Sequence, residues 1–188
     1  ALAEFLFFRQ AFIIGETSLA MLAGLLPWLF ILLIPALTMG SVAQEKSEGT
    51  LEFVLTHPVT DRAFVLGKFL GTTLFCALIL LFLFPLAVSF DWFGNLDWGV
   101  VFGQYLAAFA LAGLLISLGI CISSCFSNQI SSLVVTGVAV LLFLILGFGM
   151  ITAMLPSFLV PWFNALSPIS HYESLGRGVI DLRDLWYF

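Results

Sequence analysis

The sequence predicts an all-α fold, a polytopic bundle of transmembrane helices, and three observations carry that prediction. First, 62% of the 188 residues are apolar and only 9% are charged, against about 25% charged in an ordinary soluble domain. A globular chain of this size leaves about a third of its unfolded surface exposed, more than so few charges can cover, so lipid must solvate most of it. Second, the charges leave three long runs empty: 28 residues between Glu16 and Glu45, 22 between Lys68 and Asp91, and 75 between Asp97 and Glu173. Third, the polar chemistry collects in one stretch, residues 44–68, which holds seven of the seventeen charged side chains. A soluble enzyme is excluded by this composition. Nucleic acid is excluded as a partner by a net charge of −5 and six scattered Lys and Arg, too few for a phosphate-gathering patch.

Each element follows from the bilayer. A hydrocarbon core of ~30 Å needs ~20 helical residues, because lipid offers the backbone no hydrogen-bond partner. Residues 1–15 read as the tail of an earlier span, with Glu4 and Arg9 too costly for its centre. The first two uncharged runs hold one span each, near 19–43 and 64–89. The third is too long for one helix and is divided by the polar stretch Ser123–Gln129, giving spans near 100–122 and 130–152. Beyond these, Pro156, Pro161 and Pro168 interrupt an apolar segment that reads as re-entrant or interfacial. Tyr172, Leu175, Val179 and Leu182 then recur at helical spacing, as on an amphipathic surface helix. The whole of 1–188 is expected to be one transmembrane domain, incomplete at both ends.

Orientation follows from Lys46, Arg62 and Lys68, which all lie between the first and second spans and place 44–68 in the cytoplasm. The hairpin at 90–99 carries two Asp, no Lys or Arg, and Trp92 and Trp98 as interfacial anchors, so it is external. By alternation 153–184 is external too, although it carries Arg177 and Arg183.

The segment 44–68 is longer than a plain hairpin needs. Gly49 can end one helix, Thr50 can cap a second running from Leu51 to about His57, Pro58 stops it, and Thr60 with Asp61 starts the next span. Leu51, Val54 and Leu55 beside Glu48 and Glu52 suit docking in the groove of a soluble partner. Lying on the lipid surface fits the same pattern.

Other chemistry is sparse. Cys76, Cys121 and Cys125 read as small core residues; the four-residue spacing of the last two would also suit a soft metal ion. His57 and His171 have no partners at metal-ligand spacing. Gly67-Lys68 is followed by Phe69 and has no glycine five positions before it, so it forms no phosphate cradle; Lys68 reads as snorkelling at the boundary of its span. The spans contain no ionisable residue, which argues against an ion-coupled carrier, and no polar catalytic pair, which argues against an intramembrane enzyme. Gly113, Gly119, Gly137, Gly147 and Gly149 are candidates for close helix packing.

The run Pro35-Ala36-Leu37-Thr38-Met39, the block Glu45-Lys46-Ser47-Glu48-Gly49-Thr50-Leu51-Glu52, then Pro58-Val59, Gly67-Lys68-Phe69, Ser127-Asn128-Gln129 and the closing stretch from His171 to Asp184 together resemble the permease subunits of ABC-2 type transporters. The likeness is nearest to the branch of gliding-motility and multicopper-enzyme-maturation permeases. The chain departs from the family's habit at Gly40, where a basic residue is usual. The resemblance implies six spans, four complete here with a partial first and last, in the bacterial cytoplasmic membrane. It implies a dimer with a second permease chain, the same or related, and a separate ABC ATP-binding subunit that holds ATP and Mg, this chain binding no cofactor or metal and catalysing nothing. It maps the coupling helix onto Gly49–His57 within a cytoplasmic segment 44–62. Glu45, Glu48, Gly49, Thr50, Leu51, Glu52, Val54 and Leu55 then become the residues facing the ATPase, the carboxylates for basic groove residues and the leucines and valine for its apolar floor. A membrane scaffold without transport activity is the alternative.

Overall fold

A computed structural model describes residues 19–50, 60–91, 97–146, 160–177 and 182–188. Every regular element among them is a helix, which is how a chain in lipid satisfies its backbone without water. Helix α1 spans Leu19–Thr38 without a charged residue and runs through Pro27 and Pro35. After a four-residue corner comes the short helix α2, Ala43–Glu48, closed by Gly49 at φ 72°, a left-handed conformation that glycine adopts without a Cβ clash. Helix α3, Asp61–Phe82, begins as expected: the Thr60 hydroxyl accepts from the Ala63 amide, and Asp61 lies in the first turn.

The span expected near 64–89 is present as Asp61–Ser89, interrupted at the single residue Leu83, after which it resumes as α4, Phe84–Asp91. Pro85 is the reason, since it has no amide hydrogen to continue the ladder and its ring crowds the preceding turn. Helix α5, Trp98–Cys125, is capped by Asp97 through the Gly99 amide. It reaches past the expected end near 122, because the Ser124 hydroxyl bonds back to Cys121 O at 2.6 Å and Ser123 is engaged by a neighbouring element. The break before α6, Gln129–Ile145, is therefore only residues 126–128, and Asn128 caps α6 through the Ile130 amide. The expected continuation of this span from 147 to 152 lies outside the described residues.

Helices α7, Val160–Leu166, α8, Pro168–Gly176, and α9, Leu182–Tyr187, follow. Pro161 and Pro168 were expected to interrupt this segment. Both instead sit in the first turn of a helix, where the missing N–H has no partner to lose. Pro156 and Val179 lie outside the described residues.

Helix α5 is the axis of the bundle, packing against α1, α3, α6 and α8. Its neighbours each present one apolar stripe at helical spacing: Leu26, Phe30 and Ile34 from α1, Val140 and Leu144 from α6, Ile169, Tyr172 and Leu175 from α8. The opposite faces are equally apolar. Leu66, Leu70, Leu74 and Leu78 line the outside of α3, and Val134, Val138 and Leu142 that of α6. Such faces are stable against lipid. Three segments, Ala23–Glu48, Asp61–Ser89 and Trp98–Cys125, are long and apolar enough to cross a membrane, and Gln129–Ile145 is a shorter apolar helix.

Two expectations need correcting. Cys76 is buried in the core, but Cys121 and Cys125 face outward from α5, because a four-residue spacing put both on the face that α1, α6 and α8 do not cover. Of the glycines expected to permit close packing, Gly119 does so, whereas an added Cβ would meet nothing within 4 Å at Gly113 and only ordinary contact at Gly137. Gly147 and Gly149 lie outside the described residues.

Candidate functional site

The polar chemistry of the described residues gathers at two opposite ends of the bundle, and the first is the corner where α1 turns into α2. Thr38, fully buried, ends α1 with its hydroxyl donating to Ile34 O at 2.9 Å. It lies against Gly119 of α5, where a Cβ would come within 2.4 Å of Thr38 Oγ1. That approach brings the corner onto Ser123. The first amides of α2 have no acceptor within their own helix, and Val42 offers no side-chain cap. Ser123 Oγ accepts from both the Val42 and Ala43 amides at 3.2 Å and donates to Met39 O at 3.3 Å. A serine some eighty residues away in the chain therefore acts as the cap of α2.

Two charged contacts complete the attachment. Lys46 Nζ donates to Ser124 O at 3.0 Å, placing a positive charge on the C-terminal turn of α5, where the helix dipole favours it. Glu45 forms an ion pair with Lys68 of α3, and the Lys68 ammonium lies 5.5 Å from the centre of the Phe64 ring. The two side chains are 23% and 30% exposed, so water still screens the pair substantially. The second oxygen of Glu45, Oε2, is buried without a hydrogen-bond partner among the described residues.

The residues expected to face a partner divide accordingly. Glu45 is held by Lys68 within the chain. Glu48 is exposed and accepts from Gln44 Nε2 at 2.8 Å. Gly49 closes α2, and the Thr50 hydroxyl turns back to Glu45 O at 3.3 Å; the helix it was expected to cap is not described. Leu51, Glu52, Val54 and Leu55, with His57 and Pro58, lie outside the described residues. Gly40 sits beside Gln44 and Gln129, an added Cβ meeting Gln44 Oε1 at 3.0 Å. The contacts that sequence reasoning missed are Ser123, Lys46 on Ser124 O, and Lys68 on Glu45. The only signal for them was that Lys68 and Glu45 flank the same polar stretch.

The second polar site is at the other end of α5. Tyr172 of α8 donates its hydroxyl to Ala23 O at 2.6 Å near the start of α1, and burial, with the charge of Glu173, pushes its phenol above the ordinary range. Helix α9 returns to α7 and α8 through His171, Asp184 and Tyr187. Burial opposes ionisation of the Asp184 carboxyl, but hydrogen bonds from Ser174 and His171, with the charges of His171 and Arg183, hold it below its ordinary value.

A model of one protein family, described as ABC-2 family transporter protein, matches residues 11–178. The chain belongs to the ABC-2 family of transporter proteins. No curated protein and no solved structure matches it. As an ABC-2 family member with several helical segments long enough to cross a bilayer, it is a multi-pass membrane protein and a membrane component of an ABC transporter. The α2 corner of this ABC-2 chain is then the polar attachment of a short helix to one end of a transporter membrane domain.

Proposed function

We propose that this ABC-2 family chain is the permease subunit of an ATP-driven transporter of the bacterial cytoplasmic membrane, working with a second permease chain and a separate ABC ATP-binding subunit that holds ATP and Mg. The carrying observation is the double attachment of α2, to α5 through Ser123 and Lys46 and to α3 through Lys68. A six-residue helix joined to the bundle only by its own chain would flex when pushed. One fastened to two long helices hands displacement on to both. In this reading segment 44–62 is cytoplasmic and docks in a groove of the ATPase. Glu48 and Glu52 meet basic groove residues there, and Leu51, Val54 and Leu55 meet its apolar floor, while Glu45 braces the segment against α3. The ATPase chemistry belongs to the partner, since Gly67-Lys68 lacks the glycine and hydroxyl residue of a phosphate cradle. The Glu45–Glu52 block and the Arg177–Asp184 ending favour the gliding-motility and multicopper-enzyme-maturation branch.

The test is co-expression with an ABC ATP-binding subunit from the same genome. Wild-type chain is expected to co-purify and support ATP hydrolysis, and the double reversal Glu48→Lys, Glu52→Lys should lower complex formation about tenfold, as loss of charge complementarity does at an interface. Unchanged assembly and hydrolysis in the reversed chain would remove the docking role.

A further inference from the structure

Helix α1 runs through Pro27, and a proline inside a helix has no amide hydrogen to give to the carbonyl four positions before it. For Pro27 that carbonyl belongs to Ala23. Ala23 is a buried residue, out of reach of water that could replace the lost donor, and a buried acceptor left bare costs about as much as a broken hydrogen bond. The Ala23 oxygen is not bare. The Tyr172 hydroxyl of α8, on a residue that is itself buried, donates to it at 2.6 Å. Of the carbonyls in α1, Tyr172 therefore meets the one that Pro27 leaves without its helical donor.

The rest of α1 does not share this dependence. Beyond Pro27, Phe30 and Ile34 pack in the core, and the last turn rests on α5, with Thr38 against Gly119. Helix α8 is placed by its own packing on α5, through Ile169 and Leu175. Pro35 frees a different carbonyl, that of Ile31, about 12 Å further along the helix. Proline is where a long helix bends, so the bond from Tyr172 restrains α1 at a point of weakness.

We propose that Tyr172 is a positioning residue that stands in for the missing Pro27 amide, so that the first turns of α1 depend on α8 where their own ladder is broken. A displacement of either helix is then felt by the other through this bond. The proposal does not rest on the transport reading and is tested on the chain alone.

Native-state hydrogen exchange in micelles, read on peptides from α1 and from α6, is the measurement. Tyr172→Phe keeps the ring and removes only the donor. Opening around residues 23–30 should become about tenfold more frequent, while α6 changes by less than about twofold. Pro27→Ala returns an amide to the Ala23 carbonyl, and in that background Tyr172→Phe should have less than about a threefold effect. Pro35→Ala repairs the ladder at Ile31 instead, and there the tenfold effect of Tyr172→Phe should persist. The proposal is overturned if α1 is unchanged by Tyr172→Phe, if exchange in α6 rises equally, or if the effect is the same size with Pro27→Ala as without it. Loss of the effect with Pro35→Ala overturns it too, since that repair leaves the Ala23 carbonyl as it was. Where Pro27→Ala does not fold, the contrast between α1 and α6 decides alone.

Discussion

The two ends of the bundle solve the same problem, holding short helices against the tips of long ones, by different means. At the α2 end the helices meet with no space between Thr38 and Gly119. The fasteners there are a serine hydroxyl, a lysine on a helix C-terminus and a lysine–glutamate pair. At the α8 end a Cβ added at Gly176 would meet Gln104 only in ordinary contact, a polar cavity remains, and the fastener is a histidine–aspartate pair. The first arrangement leaves little slack, because its atoms are close-packed. The second leaves a cavity between its helices.

The sharpest way to break this comparison is Gly119→Ala. Its Cβ would overlap Thr38, forcing α1 and α5 apart at a cost of about 1–3 kcal/mol, read as a clear drop in Tm in micelles. Gly113→Ala, on the open face of the same helix, should leave Tm unchanged or slightly raised. Equal behaviour of the two variants would mean that the α2 end is no tighter than the rest. Next in size is Ser123→Ala, which leaves the Val42 and Ala43 amides, both in buried residues, without an acceptor and should cost about 1–3 kcal/mol. Hydrogen exchange at those two amides is the direct measurement, and Ser117→Ala, whose exposed hydroxyl bonds to Leu114 O in its own helix, is the neutral control. The smallest effect is at the α8 end. Acidification through the lowered Asp184 carboxyl should weaken the attachment of α9, and Asp184→Asn should abolish that acid-side decline while weakening the attachment at neutral pH. A decline that survives in the Asn variant would assign it to another carboxylate.

Much of the architecture was legible in the order of residues. Charge spacing located the helical runs, and Thr60-Asp61 and Gly49 marked a start and a stop that the structure contains. The break at Leu83 was also written in the chain, at Pro85, but is hidden within an apolar run long enough to span without it. Ser123 was misleading: its type suggested a turn, yet it stays helical because Val42 and Ala43 need its oxygen. Glu45 offered itself to a partner protein and found Lys68 first. The outward orientation of Cys121 and Cys125 could not be read at all, since every face of α5 is apolar or small and nothing in the spacing says which face its neighbours cover.

Composition and the positions of seventeen charges were enough to dictate a multi-pass helical membrane protein, because lipid accepts neither an unpaired peptide group nor an unpaired charge and leaves few other folds open. Which polar groups meet was settled by packing alone. Ser123 and Met39 are 84 positions apart, and His171 and Asp184 are 13 apart on separate helices. Hydrogen bonds act over about 3 Å, a distance that only the docking of whole helices can bring about.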